Sequence, residues 1–261
     1  VKFMIAVDCD GPACVVGEPG RALSDSRDMV YAREQATRET DAAARALFDA
    51  GAEKVVVWDN HGFGANLVFD RLDRRCEVLL GTGFGRRFPL LDDSYAGVLM
   101  IGYHAMEGTP AAVLAHTYSP RAYRAIRVNG RAVGEMALDA AVAGELGVPL
   151  LLVASDDKGC DEARQFMPWI ETVATKQGFG RNCAYSKHPA VAEEEIYRAT
   201  LRAVERLHEM QPLVFAHPVP LEIEFKKPLQ VLKARIRRKG WRYAGGLRLK
   251  TELGSMLEFR C

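Results

Sequence analysis

The chain has 261 residues, enough to bury a sizeable core as one large domain or as a domain with a small appendage. Its 48% hydrophobic and 26% charged content is ordinary for a globular protein, and a net charge of +1 argues against a dedicated nucleic-acid binder. Charges interrupt every long apolar run, so no membrane partner is expected. The N-terminus enters a strand directly, with no secretory pattern, and the six cysteines form no C-x-x-C pair. Reduced thiols in the cytoplasm are the expectation.

In chain order, Phe3 to Val7 is an apolar run fit for a buried strand, and it stops abruptly at Asp8-Cys9-Asp10-Gly11. Side chains alternate faces along an extended chain, so Asp8 and Asp10 point one way and Cys9 the other. Two carboxylates placed like this repel each other unless a cation sits between them. A solvated Asp-Gly turn explains the two acids equally well when they are taken alone. Residues 12–27 read as a loop, and residues 28–50 as a long helix stopped by Gly51. Residues 54–58 form a strand running into Asp59-Asn60-His61-Gly62. A weaker helix over 65–72 and a short strand over 77–80 follow. Gly81-Thr-Gly-Phe-Gly85 lacks the G-x-G-x-x-G spacing and reads as a glycine turn.

Residues 97–101 make another apolar strand, ended by Gly102-Tyr103-His104, and Ala115-His116-Thr117 lies a little further on. Residues 125–128 with Asn129-Gly130 read as a strand into a tight turn. Residues 131–146 read as a helix carrying Glu135 in its first turn. The most apolar strand, 149–154, runs into Ser155-Asp156-Asp157, whose acids cap a helix at 159–167. A strand at 171–175 and a helix at 189–209 complete the alternation. From about Gln211 prolines punctuate short apolar runs, and the basic cluster Lys233–Lys239 reads as a solvated face. The expected fold is α/β: a three-layer α/β/α core over residues 1–210 with a largely parallel or mixed sheet. A smaller β-rich segment over 211–261 is a subdomain or an oligomer contact.

In such sheets ligands bind beyond the carboxyl ends of the strands. Here three strands end at Asp8 and Asp10, near His61, and at His104, and Glu135 can reach the same edge. A lone histidine is more often structural, and Glu135 alone suits the positive end of its helix. For the set, coincidence is the weaker explanation. Three carboxylates and two imidazoles suit two divalent metal ions sharing a bridging carboxylate, with Asp8, first off the strand, as the natural bridge. His116 is left over as an acid–base or oxyanion-stabilising group. No G-x-S-x-G elbow or H-E-x-x-H helix competes.

These residues resemble the bacterial zinc-dependent D-aminopeptidases of the dipeptide-transport-associated type. That family opens with Ser-x-Asp-x-Glu-Gly, matched here by Ala6-Val-Asp8-Cys-Asp10-Gly11. Asp59-Asn-His61, Gly102-Tyr-His104, Ala115-His116-Thr117 and Val133-Gly-Glu135 follow in the family's order, as do Val153-Ala-Ser-Asp-Asp157 and Thr175-Lys-Gln177. The resemblance covers most of residues 1–180. It implies two zinc ions held by Asp8 as bridge with Asp10, His61, His104 and Glu135, and His116 as the catalytic group. It further implies removal of N-terminal D-amino acids from short peptides, and a ring-shaped homodecamer. The mechanism expected is attack by a metal-bound hydroxide on a metal-polarised carbonyl. One departure concerns Asp10, which stands where the family carries Glu and is about 1.5 Å shorter in reach. The stretch from His104 to His116 is also one residue longer than the family's. Two other readings fit such a centre: a different dinuclear hydrolase, amidase or phosphoesterase, and a non-catalytic peptide-binding oligomer.

Overall fold

The computed structural model describes residues 1–238 and 240–260. Lys239, the last member of the basic cluster, and Cys261 lie outside the described residues. In chain order the elements are β1 (Lys2–Val7), α1 (Met29–Asp49), β2 (Lys54–Asp59), β3 (Glu77–Leu79), β4 (Tyr95–Ile101) and β5 (Tyr123–Val128). Next come β6 (Arg131–Ala132), α2 (Glu135–Gly144), β7 (Leu150–Asp156), α3 (Asp157–Phe166), β8 (Glu171–Gly180) and β9 (Cys183–Ser186). The chain then continues through α4 (Pro189–Glu205), β10 (Val219–Phe225), α5 (Pro228–Arg237), β11 (Arg242–Tyr243) and β12 (Arg248–Leu253).

The larger sheet has the order β3-β2-β1-β4-β7-β8-β9, and all pairs are parallel except the β8–β9 hairpin. Its central strands are apolar almost throughout because both faces are covered. Phe3, Ile5 and Val7 share one core with Ala36, Ala43 and Leu47 of α1 and with Ile196 and Ala199 of α4. Met4 and Ala6 face the other way. They share a second core with Met136 and Ala140 of α2 and with Ile223 and Leu249 of a smaller sheet. That smaller sheet is antiparallel, in the order β11-β12-β10-β5-β6. The expected α/β/α core with a mixed sheet and a β-rich C-terminal segment is therefore what the chain forms.

Several elements differ from the sequence reading. No α-helix forms over 65–72; only a 3-10 turn at Phe69–Arg71 does. The Asp59 carboxylate accepts from the main-chain N–H of Asn66 and Leu67 and from the Asn66 side chain. These bonds offer that backbone an alternative to a helix. The helix expected from residue 131 begins at Glu135, because Asn129 and Gly130 take positive φ (52° and 78°) and turn β5 into a hairpin with β6. That hairpin joins the second sheet, so the C-terminal strands complete a sheet begun in mid-chain. The strand expected over 171–175 runs on to Gly180 and pairs with β9, and α5 interrupts the C-terminal strands; both were missed in the sequence.

The order β3-β2-β1-β4 places the switch in winding direction between β1 and β4. Val7 is in register with Asp59 on one side and with Ile101 on the other. The three strand ends bearing Asp8, His61 and His104 therefore lie side by side, where open α/β sheets bind ligands.

Candidate metal centre

Two glycines let the strand ends close on one another. Gly11 donates to the Gly102 carbonyl at 2.7 Å, and a Cβ on Gly11 would lie 2.0 Å from the Tyr103 oxygen. Gly102 has φ +73°, and a Cβ there would lie 2.2 Å from the Asp8 carbonyl oxygen. Only glycine permits this approach, which draws the Asp8–Asp10 turn against the segment carrying His104.

All six residues expected at the site come together. His61 Nδ1 lies 2.6 Å from Asp8 Oδ1 and 3.3 Å from Asp10 Oδ2. His104 Nε2 lies 3.3 Å from both Asp8 Oδ2 and Glu135 Oε1. His116 Nε2 is 3.9 Å from Glu135 Oε1, and its ring stacks on His104 at 3.8 Å. Their potential ligand atoms form three overlapping triplets, each within 4.8 Å: Asp8–Asp10–His61, Asp8–His104–Glu135 and Asp10–His104–His116. Asp8 is common to the first two. Asp8, Asp10, His104 and Glu135 are buried, and Cys9 packs in the opposite core beside α1.

The hydrogen bonds orient these groups. His104 Nδ1 donates to the Ala105 carbonyl at 3.0 Å and His116 Nδ1 to the Leu114 carbonyl at 2.8 Å, which turns each Nε2 toward the carboxylates. Among the described residues, His61 Nε2, His104 Nε2 and Asp10 Oδ2 are buried without a hydrogen-bond partner. Buried polar atoms rarely go unpaired, and two of these, His104 Nε2 and Asp10 Oδ2, lie among the clustered carboxylates and imidazoles, as fits a bound cation. Burial raises the Asp8 carboxyl, but the neighbouring His104 and His61 imidazoles outweigh it and hold the group well below the usual carboxylate range. Asp10 and Glu135 are lowered in the same way, by His61 and His104 respectively. All three are then ionised at neutral pH, the form that binds metal. Burial and the neighbouring His104 push His116 down, so its ring is neutral near pH 7.

Residues the sequence reading did not assign support the cluster. Buried Lys176 donates from Nζ to the carbonyls of Asp10, Pro12 and Val15 at 2.8, 2.8 and 2.7 Å. Buried Glu39 on α1 accepts from Ala13 N–H in the same loop. Asp139, one turn after Glu135, takes a bidentate Arg87 and the hydroxyls of Tyr103 and Tyr118. The signals were a lysine at the end of an expected strand run and two acids four apart on an apolar helix. Of the two acids expected to cap α3, Asp156 does, accepting from Gly159 N–H, whereas Asp157 accepts from Gly178 N–H and pairs with Lys158.

The cluster opens into a cavity of about 540 Å3 lined by Asp8, Asp10, His61, His116 and Glu135 among others. A hollow of about 610 Å3 lies on the second sheet near Arg127 and Lys250, away from every group of potential metal ligands among the described residues. Carboxylates and imidazoles gathered at the switch point of an α/β sheet make the kind of centre on which metal-dependent hydrolases work.

Comparison with known proteins narrows that class. A family described as D-aminopeptidase matches residues 1–259. A D-aminopeptidase of Bacillus subtilis (strain 168) is 32% identical over 230 residues, covering 86% of this chain and 81% of that protein. In structure, the chain is similar to the Zn-dependent D-aminopeptidase DppA from Bacillus subtilis, described as a self-compartmentalizing protease. The TM-score is 0.91 at 29% identity, covering 99% of this chain and 93% of the other. The chain belongs to the D-aminopeptidase family. It is a metal-dependent aminopeptidase, and the amidase, phosphoesterase and non-catalytic readings are not favoured.

Proposed function

We propose that the chain removes N-terminal D-amino acids from short peptides at a centre of two zinc ions. The observation that carries this reading is the pair of ligand triplets sharing Asp8, with the buried His104 Nε2 between them left without a hydrogen-bond partner. In this reading Asp8, Asp10 and His61 would hold one ion and His104 and Glu135 the other, with Asp8 the residue the two would share. Bound zinc supplies Lewis-acid polarisation of the scissile carbonyl and acidifies water. The zinc-dependent relative supports that choice of metal.

His116 handles the proton. Its Nδ1–H is committed to Leu114, its Nε2 faces the cluster beside Glu135, and its ring is neutral. Nε2 can therefore accept a proton from the attacking water and return it to the leaving amine. A second reading, in which His116 is a further ligand, is favoured by its place in a triplet with Asp10 and His104.

A homodecamer that encloses its active sites belongs to the proposal, supported by the self-compartmentalizing relative. The segment over 211–261 offers a contact for it: Leu229, Leu232 and Ile236 are exposed at helical spacing on α5. A cytoplasmic location is supported by the unpaired thiols of Cys9, Cys14, Cys76, Cys160 and Cys183. Among the described residues no helix is long and apolar enough to cross a membrane.

The test is a substrate panel on zinc-loaded protein. D-alanyl-D-alanine is expected to be cleaved and L-alanyl-L-alanine spared. Cleavage of the L-peptide alone, or of phosphate esters with both peptides intact, contradicts the proposal.

A further inference from the structure

Two cations line the catalytic cavity, Arg87 and Arg181. Arg87 is spent on structure: it is bidentate to Asp139, with its guanidinium 4.8 Å from the Trp58 ring centre and 5.1 Å from that of Tyr118. Arg181 is different. It sits at the turn between β8 and β9, its main-chain carbonyl accepts from Leu114 N–H at 2.9 Å, and its Nη1 donates to the Ala115 carbonyl at 2.6 Å. That is its one side-chain hydrogen bond among the described residues, and no carboxylate pairs with it. A guanidinium carries five N–H donors in a planar fork suited to a carboxylate. Arg181 thus brings free donors to a cavity whose acidic walls are Asp8, Asp10 and Glu135.

Its position decides which carboxylate. Ala115, whose carbonyl holds the guanidinium, directly precedes His116, the group that returns a proton to the leaving amine. In a dipeptide the leaving amine and the terminal carboxylate flank a single Cα, a span of about 3.5 Å. A longer peptide carries its carboxylate one or more residues further away. Resting on the aminopeptidase reading above, we infer that Arg181 binds the substrate's C-terminal carboxylate and makes dipeptides with a free C-terminus the preferred substrate class. Its bond to Ala115 fixes the fork beside the proton-transfer group without using the donors that meet substrate.

The experiment compares kcat/KM for D-alanyl-D-alanine with that for D-alanyl-D-alaninamide, which lacks the charge, in wild type, Arg181→Lys and Arg181→Met at matched metal content. Wild type is expected to prefer the carboxylate by about tenfold or more, in line with losing a charge-assisted bidentate contact. Arg181→Met should bring the ratio close to unity. Arg181→Lys, which keeps the charge and loses the fork, should fall between. A purely structural role lowers both substrates together and leaves the ratio unchanged, and an unchanged ratio overturns the assignment. A wild-type protein that cleaves neither substrate overturns the aminopeptidase reading itself, and the assignment with it.

Discussion

At the scale of single residues, the site depends on which atoms are left without partners. Cys9 and Asp8 are consecutive, yet backbone alternation sends the thiol into the α1 side of the core and the carboxylate into the cluster. Asp10 reaches the cluster despite its short side chain, with Oδ2 buried, without a hydrogen-bond partner and 3.3 Å from His61 Nδ1. His104 and His116 stack, yet their surroundings separate them: carboxylates overcome burial and raise His104, whereas burial and His104 lower His116. The lowered ring, neutral near pH 7, is the one in the form that can take up a proton. Replacing His116 by Ala is expected to lower kcat by about 10²–10⁴-fold while zinc per chain, measured by mass spectrometry, stays at the wild-type value. Loss of zinc in that variant would make His116 a ligand instead.

At the scale of elements, buried charges from distant parts of the chain hold the Asp10–Val15 loop. Lys176 on β8 gathers three of its carbonyls, and burial pushes its ammonium down to about 8. Glu39 on α1 anchors Ala13, and burial pushes its carboxyl up from 4.5 to about 7. A raised acid binds its proton more tightly in the folded state than in the unfolded one, so Glu39 favours folding at low pH. That contribution is lost as pH rises from about 4.5 through about 7, and amounts to about 3 kcal/mol at most. Glu39→Gln stays neutral, so its melting temperature is expected to gain on wild type between pH 5 and pH 8; a constant difference across that range would contradict this. The same scale explains which elements were legible. Apolar runs ending in Asp, His or Gly located β1, β2, β4 and β7, because buried parallel strands carry their own signal. The 65–72 segment was misread because its fate depends on Asp59, several residues upstream. The partner of β5 was hidden because β10 lies some ninety positions further on, and local pattern says nothing about that pairing.

At the scale of the whole molecule, topology turns six scattered residues into one centre. The residues that gather there, and their order along the chain, were readable because few side-chain types can serve a metal. Arg181 was not readable: a lone arginine at a hairpin tip acquires meaning only when the fold places it beside His116. The second sheet shares one core with α2, the helix that presents Glu135 3.3 Å from His104. Asp8 sits where these constraints cross, and replacing it tests the centre most directly. Metal content and D-alanyl-D-alanine hydrolysis are measured together on wild type and Asp8→Ala, with circular dichroism as a check on folding. Wild type is expected to hold two zinc ions per chain and to cleave the dipeptide, and folded Asp8→Ala to lose both the metal and the activity. A folded Asp8→Ala protein that retains wild-type metal and turnover would contradict the account.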